Sequence, residues 1–207
     1  MDQKLISLAN NTKGFMPEEE GLALYFNACR ILKESKNPML EIGSYCGKSA
    51  IYLGAATKEN GSILFSVDHH RGSEENQIGW EHHDTELFDP HTNKLETLFQ
   101  FRKTLTVAGL DDYVIPIVGN SKIVGRYWNI GLSLLFIDGG HSYEEAMGDY
   151  IVWSKFIQLN GLLLIHDVFE NESDGGRPPF EIYQKAMESS YFTEIESVGS
   201  LKVLKKI

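Results

Sequence analysis

Hydrophobic residues along the chain fall into two patterns that alternate. Met39–Ile42, Ser62–Val67, Tyr113–Val118, Leu132–Ile137 and Leu162–Ile165 are short, nearly unbroken apolar runs. Such runs mark strands covered on both faces within a parallel sheet. Between them, apolar positions recur at helical spacing. Pro17 followed by Glu18, Glu19 and Glu20 opens a helix, since proline fits the first turn and acids suit its positive dipole end. Leu22, Leu24, Tyr25, Ala28, Ile31 and Leu32 give it an apolar face out to about Glu34, before Pro38. Further helices are expected over about Lys48–Lys58, Asn93–Ala108, a short stretch after Ser121, Tyr143–Gln158 and Phe180–Ser189. Asn60-Gly61, Gly109 and Asn160-Gly161 close three of them. The last two runs, Thr193–Val198 and Leu201–Leu204, flank Gly199-Ser200 and read as a tight hairpin. Residues 1–16 read as an irregular arm. The polar segment 69–91 is too long for a plain connection and reads as a lid or substrate loop.

This order predicts an α/β fold: a Rossmann-like, doubly wound sheet of seven strands, mostly parallel, with an antiparallel strand from the closing hairpin. One domain over residues 1–207 is expected, with residues 1–35 as an arm and helix. The carboxyl ends of such strands form a ligand crevice, and the chemistry-bearing residues fall there. The first run passes into Leu40-Glu41-Ile42-Gly43-Ser44-Tyr45-Cys46-Gly47-Lys48-Ser49. The second ends at Asp68-His69, the third at Gly119-Asn120-Ser121, the fourth at Asp138-Gly139-Gly140-His141 and the fifth at His166-Asp167. A dinucleotide loop has the form G-x-G-x-x-G and aims a helix N-terminus at a pyrophosphate. Here the form is E-x-G-x-x-x-G. An acid two residues before the first glycine would repel a pyrophosphate and suits a cationic ligand. Lys48 reads as a solvated helix residue, because the P-loop pattern is absent.

With this loop the chain resembles the class I S-adenosylmethionine (SAM)-dependent methyltransferases, and the strand order extends the likeness from about residue 20 to the end. The resemblance implies that Gly43, Ser44, Gly47 and Ser49 lie against SAM, with Gly43 allowing the tight turn and Gly47 letting the helix pack close to the strand. It places the acid matching Glu41 near the methionyl portion, Asp68 on the ribose hydroxyls and Asn120-Ser121 beside the adenine. His69 is expected against the purine. Asp138 is shared between the cofactor and the chemical site. In catechol-type O-methyltransferases acids at the fourth and fifth strand ends bind magnesium, and sugar-modifying relatives carry a two-residue pair at the fifth. The resemblance therefore puts a divalent metal on Asp138, His166 and Asp167. An imidazole there favours manganese, zinc or iron over magnesium. Adjacent strand residues point to opposite faces, so both His166 and Asp167 can ligate only if the chain turns between them. The alternative is a metal-free site in which Asp138 serves SAM and Asp167 caps a turn.

Three residues are expected to carry the chemistry: Asp138, His166 and His141. His141 suits a general base, because imidazole titrates near neutrality; it also reads as a cap for the next helix. Glu81-His82-His83-Asp84 reads as a second metal site, a substrate clamp or a solvated lid, and Trp80 as an aromatic that closes over ligand. Arg177, in the Gly- and Pro-rich turn 174–179, reads either as a partner for an anionic substrate group or as part of a surface turn.

Composition narrows the partners. The chain is 42% hydrophobic and 23% charged with a net charge of −10, and its only basic cluster is Lys202, Lys205 and Lys206. Nucleic-acid binding draws on basic patches, so a small-molecule substrate is expected and a nucleic acid is not. No apolar run is long enough to span a membrane. Cys29 and Cys46 lack metal-type spacing and read as free thiols of a cytoplasmic protein. No pattern sets the oligomeric state; a homodimer would meet through the N-terminal helix or the closing hairpin. The reading is SAM-dependent methyl transfer to a hydroxyl of a small polar compound such as a sugar, polyol or catechol-like molecule, assisted by a divalent metal. The alternatives are a metal-independent methyltransferase, a non-catalytic SAM-binding protein and a nicotinamide-dependent oxidoreductase; the last lacks the third glycine of its fingerprint.

Overall fold

The computed structural model describes residues 1–72, 84–140, 142–171 and 173–207. In chain order its elements are α1 (Gln3–Asn11), α2 (Glu18–Glu34), β1 (Met39–Ile42), α3 (Lys48–Asn60), β2 (Leu64–Asp68), β3 (Phe88–Asp89), β4 (Lys94–Leu95), α4 (Leu98–Ala108), β5 (Val114–Val118), α5 (Ser121–Arg126), β6 (Leu132–Ile137), α6 (Tyr143–Trp153), β7 (Ile157–Ile165), α7 (Arg177–Glu188), β8 (Phe192–Val198) and β9 (Leu201–Lys206). The main sheet has the order β5-β2-β1-β6-β7-β9-β8. Every pairing from β5 to β7 is parallel, and β9 runs antiparallel to both β7 and β8. This is the expected doubly wound sheet of seven strands.

Strand alternation divides the core between the two sheet faces. Met39, Leu64, Leu134, Phe136, Leu162 and Leu164 face one cluster, which α1 to α4 complete with Ala9, Leu24, Ile51 and Phe101. Leu40, Ile42, Val67, Leu135, Ile137, Leu163 and Ile165 face the other, closed by Tyr150 and Trp153 of α6 and Ile182 and Ala186 of α7. Fully burying a large aliphatic side chain stabilises by about 1.5–3 kcal/mol. These strands therefore hold because both faces are dry. None of the described helices is long and apolar enough to cross a membrane.

Four boundaries differ from the sequence-based expectation. The first 16 residues are not irregular. Asp2 caps α1 through Lys4 N, and Ala9 is buried among Leu5 and Leu8 at helical spacing. The helix expected from Asn93 begins at Leu98, because Lys94–Leu95 pairs with Phe88–Asp89 across a turn in which Asn93 has φ of 54°. The helix expected to reach Gln158 ends at Trp153 and passes through a 3-10 turn at Ser154–Phe156 into β7. Asn160-Gly161 is then no helix cap but a bulge, where the register jumps from Leu132↔Ile157 to Leu134↔Leu162. Finally, α7 starts at Arg177 and takes Pro178 and Pro179 into its first turn, where missing amide donors cost nothing.

Candidate functional site

The chain winds outward from β1 to β2 and β5, then returns to β6 on the other side of β1. Ligands of open α/β sheets bind at the carboxyl ends of strands beside such a reversal. A cleft of about 580 Å³ opens there, within the size range of small-molecule sites. Of the residues expected at the cofactor, Gly43, Ser44, Ser49, Asp68, His69, Asn120, Ser121 and Asp138 line it. So do His166 and Asp167.

Asp68 organises the glycine loop. Its Oδ2 accepts from Ser44 N and Tyr45 N, both at 2.9 Å, and its Oδ1 from His70 N at 2.7 Å. Gly43 has φ of 83° and lies against the backbone of Asp138, where an added Cβ would sit 2.1 Å from the carbonyl oxygen. Gly47 does not serve helix–strand packing. Its missing Cβ faces Phe101 and Thr104 of α4, and the residue is outside the cleft lining. Lys48 is not simply solvated, since its Nζ donates to Gly14 O at 3.1 Å. This ties residues 13–16 across the cleft mouth, where Phe15 lies 6.0 Å from the Tyr45 ring.

Glu41 is buried beneath the loop rather than exposed to the cleft. Its carboxyl accepts from Ser66 Oγ at 2.6 Å and Ser49 Oγ at 2.9 Å. Burial pushes it up to about 8, with the charges of Asp138 and Asp68 adding to the rise and the two serine hydrogen bonds opposing it. The folded protein thus keeps a proton that the unfolded chain releases near about 4.3. Folded protein binds more protons between these values, so stability falls as pH rises from about 4.3 to about 8 and is level above. Glu41→Gln keeps the shape without the charge. Its melting temperature is expected to match or exceed wild type at about pH 9 and to vary less across the window. Thermal melts at stepped pH check this, and an unchanged pH slope in the variant would refute it.

At the opposite end of the cleft, β6 and β7 deliver Asp138, His166 and Asp167. Asp167 has φ of 56°, the turn that brings two adjacent residues to one site. One ligand atom from each of the three lies within 4.8 Å of the others. His166 is buried; its Nδ1 lies 3.0 Å from Asp138 Oδ1 and 3.4 Å from Asp167 Oδ1, and its Nε2 2.6 Å from Glu20 Oε2. Burial alone would lower its pKa, but the Asp138 charge and hydrogen bonds to Asp138, Asp167 and Glu20 raise it well above the usual range. Both ring nitrogens are engaged, so neither is vacant to take a proton from substrate.

The match to known proteins follows this geometry. The family profile described as a methyltransferase domain matches residues 40–168, from the glycine loop through the metal-type cluster. The chain belongs to the methyltransferase-domain family. The nicotinamide-dependent alternative is thereby removed. Solved structures share the fold of this methyltransferase. The SAH-bound methyltransferase PaMTH1 of Podospora anserina has 14% identity and a TM-score of 0.70, over 100% of this chain and 89% of its own. The O-methyltransferase TomG of Streptomyces achromogenes, in complex with SAM, has 14% identity and a TM-score of 0.67, over 100% and 90%. An O-methyltransferase of Bacillus cereus, in complex with SAH, has 13% identity and a TM-score of 0.67, over 100% and 92%.

Other expected residues of the methyltransferase fall elsewhere. His141, Trp80, Glu81, His82 and His83 lie outside the described residues. Arg177 donates to Glu170 O and stacks 4.3 Å from the Phe180 ring, which favours the surface-turn reading. His69 is at the cleft edge, where its Nδ1 accepts from Arg71 N. Sequence reasoning missed Glu20, Phe169 and Asp149. The Asp149 carboxyl lines the cleft, accepts from Ser121 Oγ and is pushed up to about 6 by burial, with Ser121 and Lys122 lowering it. Each of the three depends on chain crossings that no local pattern marks.

Proposed function

We propose that this methyltransferase moves a methyl group from SAM to a hydroxyl of a small polar substrate, a sugar, polyol or catechol-like compound, with a divalent metal held by Asp138, His166 and Asp167. The observation that carries the proposal is the convergence of these three donors at one end of a cleft whose other end is built by Asp68 and the glycine loop. Two carboxylates and an imidazole suit manganese, zinc or magnesium. O-methyltransferases among the fold relatives support oxygen as the acceptor atom.

A metal held by Asp138, His166 and Asp167 would act as a Lewis acid that lowers the pKa of the attacking hydroxyl. Asp138 and Asp167 fix the donor geometry, and the Asp167 turn keeps both strand-end residues on one side. The substrate oxygen forms a bond to the methyl carbon as the sulfur–carbon bond breaks, SAH leaves with the electron pair, and the hydroxyl proton passes to His141. Positioning dominates such a transfer. Residues 13–16 and Phe169 also line the cleft.

Calorimetry on chelator-treated protein tests the reading. SAM is expected to bind in the micromolar range without metal. Added manganese is expected to bind wild type and to bind Asp167→Ala at least about tenfold more weakly, with SAM affinity unchanged. Equal turnover before and after chelation would reduce the proposal to a metal-independent methyltransferase.

A further inference from the structure

Glu20 is the one acid in the first turn of α2 that leaves the surface. Its carboxyl is buried and divides its two oxygens between distant parts of the chain. Oε1 accepts from Ser200 N at 2.6 Å and Ser200 Oγ at 3.0 Å, while Oε2 faces His166 Nε2 at 2.6 Å. The closing hairpin leaves room for this. Gly199 has φ of 54°, and a Cβ there would sit 2.2 Å from Glu20 Oε1. The opposite ring nitrogen, Nδ1, faces Asp138 and Asp167. We propose that Glu20 is a positioning residue that selects the His166 tautomer able to hold a metal: it keeps the hydrogen on Nε2, so the Nδ1 that Asp138 and Asp167 engage is the nitrogen that gives up its hydrogen when a metal binds. The inference rests on the metal-assisted reading above.

The argument is one of donors and acceptors. A carboxylate only accepts, so Glu20 can satisfy the Ser200 amide and still require a hydrogen on Nε2. An imidazole that ligates through one nitrogen needs an acceptor at the other, and such partners fix ring orientation and ligand basicity. An amide in place of the carboxyl has one acceptor and one donor end. The Ser200 backbone N–H can only donate, so it claims the carbonyl. The amide nitrogen is then left facing Nε2, which must accept. The hydrogen moves to Nδ1, the nitrogen the metal needs. Glu20→Gln is nearly isosteric and yet imposes the wrong tautomer.

The test is manganese binding to the chelator-treated full chain, read by loss of the free-ion electron paramagnetic resonance signal, on wild type, Glu20→Gln, Glu20→Asp and Ser200→Ala, with a thermal melt of each. Glu20→Gln is expected to bind manganese about 10–100-fold more weakly. Glu20→Asp, whose shorter group still only accepts, should fall between Glu20→Gln and wild type. Ser200→Ala removes one hairpin hydrogen bond and should lower the melting temperature while leaving manganese affinity near wild type. If Glu20→Gln binds as tightly as wild type, if Ser200→Ala weakens binding as much, or if Glu20→Asp is worse than Glu20→Gln, the inference is overturned while the metal reading stands. If wild type binds no manganese, the metal reading itself fails, and the inference with it.

Discussion

Asp68→Ala is expected to weaken SAM binding at least about 100-fold, roughly 2.7 kcal/mol, and to abolish turnover at ordinary SAM concentrations. The side chain accepts from three backbone amides at once, those of Ser44, Tyr45 and His70. Each buried donor left unpaired costs about 1–3 kcal/mol. Tyr45 sits at φ of 45°, a conformation a tyrosine keeps only when its surroundings hold it there. Truncation therefore removes both the carboxylate that the family resemblance puts on the ribose hydroxyls and the restraint on the loop that lines the cleft. Asp68→Asn separates the two effects, because its one carbonyl oxygen can serve Ser44 and Tyr45 while its amide nitrogen opposes His70 N. It should bind SAM with an affinity between the other two proteins. Isothermal calorimetry measures all three. An Asp68→Ala protein that binds SAM nearly as well as wild type would remove Asp68 from the cofactor site.

What the sequence reveals of this fold follows the dryness of each element. Met39–Ile42 and Leu132–Ile137 are found at their expected bounds because they are central strands buried on both faces, flanked by Pro38 and Gly43 and by Gly131 and Asp138. Residues 157–161 were harder. Ile157, Gln158, Leu159 and Asn160 continue the helical pattern of α6, and only pairing with β6 makes them the bulged start of β7. The site divides in the same way. Asp68, Asn120, Asp138, His166 and Asp167 are visible because each ends an apolar run, and a parallel sheet carries all such ends to one crevice. Glu20 is not visible. It is the third of three glutamates opening a helix, a pattern that dipole stabilisation explains fully. Its partners lie 146 and 180 residues away, and nothing near Glu20 separates it from Glu18 or Glu19.

Gly43→Ala is expected to lower stability by about 3 kcal/mol or more through backbone strain and overpacking together. At about 2–4 °C per kcal/mol for a chain of this size, the melting temperature should drop by about 6–12 °C. Two costs coincide at this position. The φ of 83° is unfavourable for any side chain, and the new Cβ would lie 2.1 Å from Asp138 O, 2.6 Å from Asp138 C and 2.8 Å from Gly139 Cα. All three are backbone atoms and no rotamer change relieves them, so β1 and β6 must separate where the glycine loop meets Asp138 and Gly139. Gly61→Ala is the matched control. It has a similar φ of 65°, caps α3, and would place its Cβ with nothing within 4 Å. It carries strain without the collision and should cost only about 1 kcal/mol. Calorimetric melts of both variants decide the point. If Gly43→Ala loses no more than Gly61→Ala, conformational strain alone accounts for the glycine. A clearly larger loss, accompanied by weaker SAM binding, makes the close approach of the two strand ends the reason this position carries no side chain.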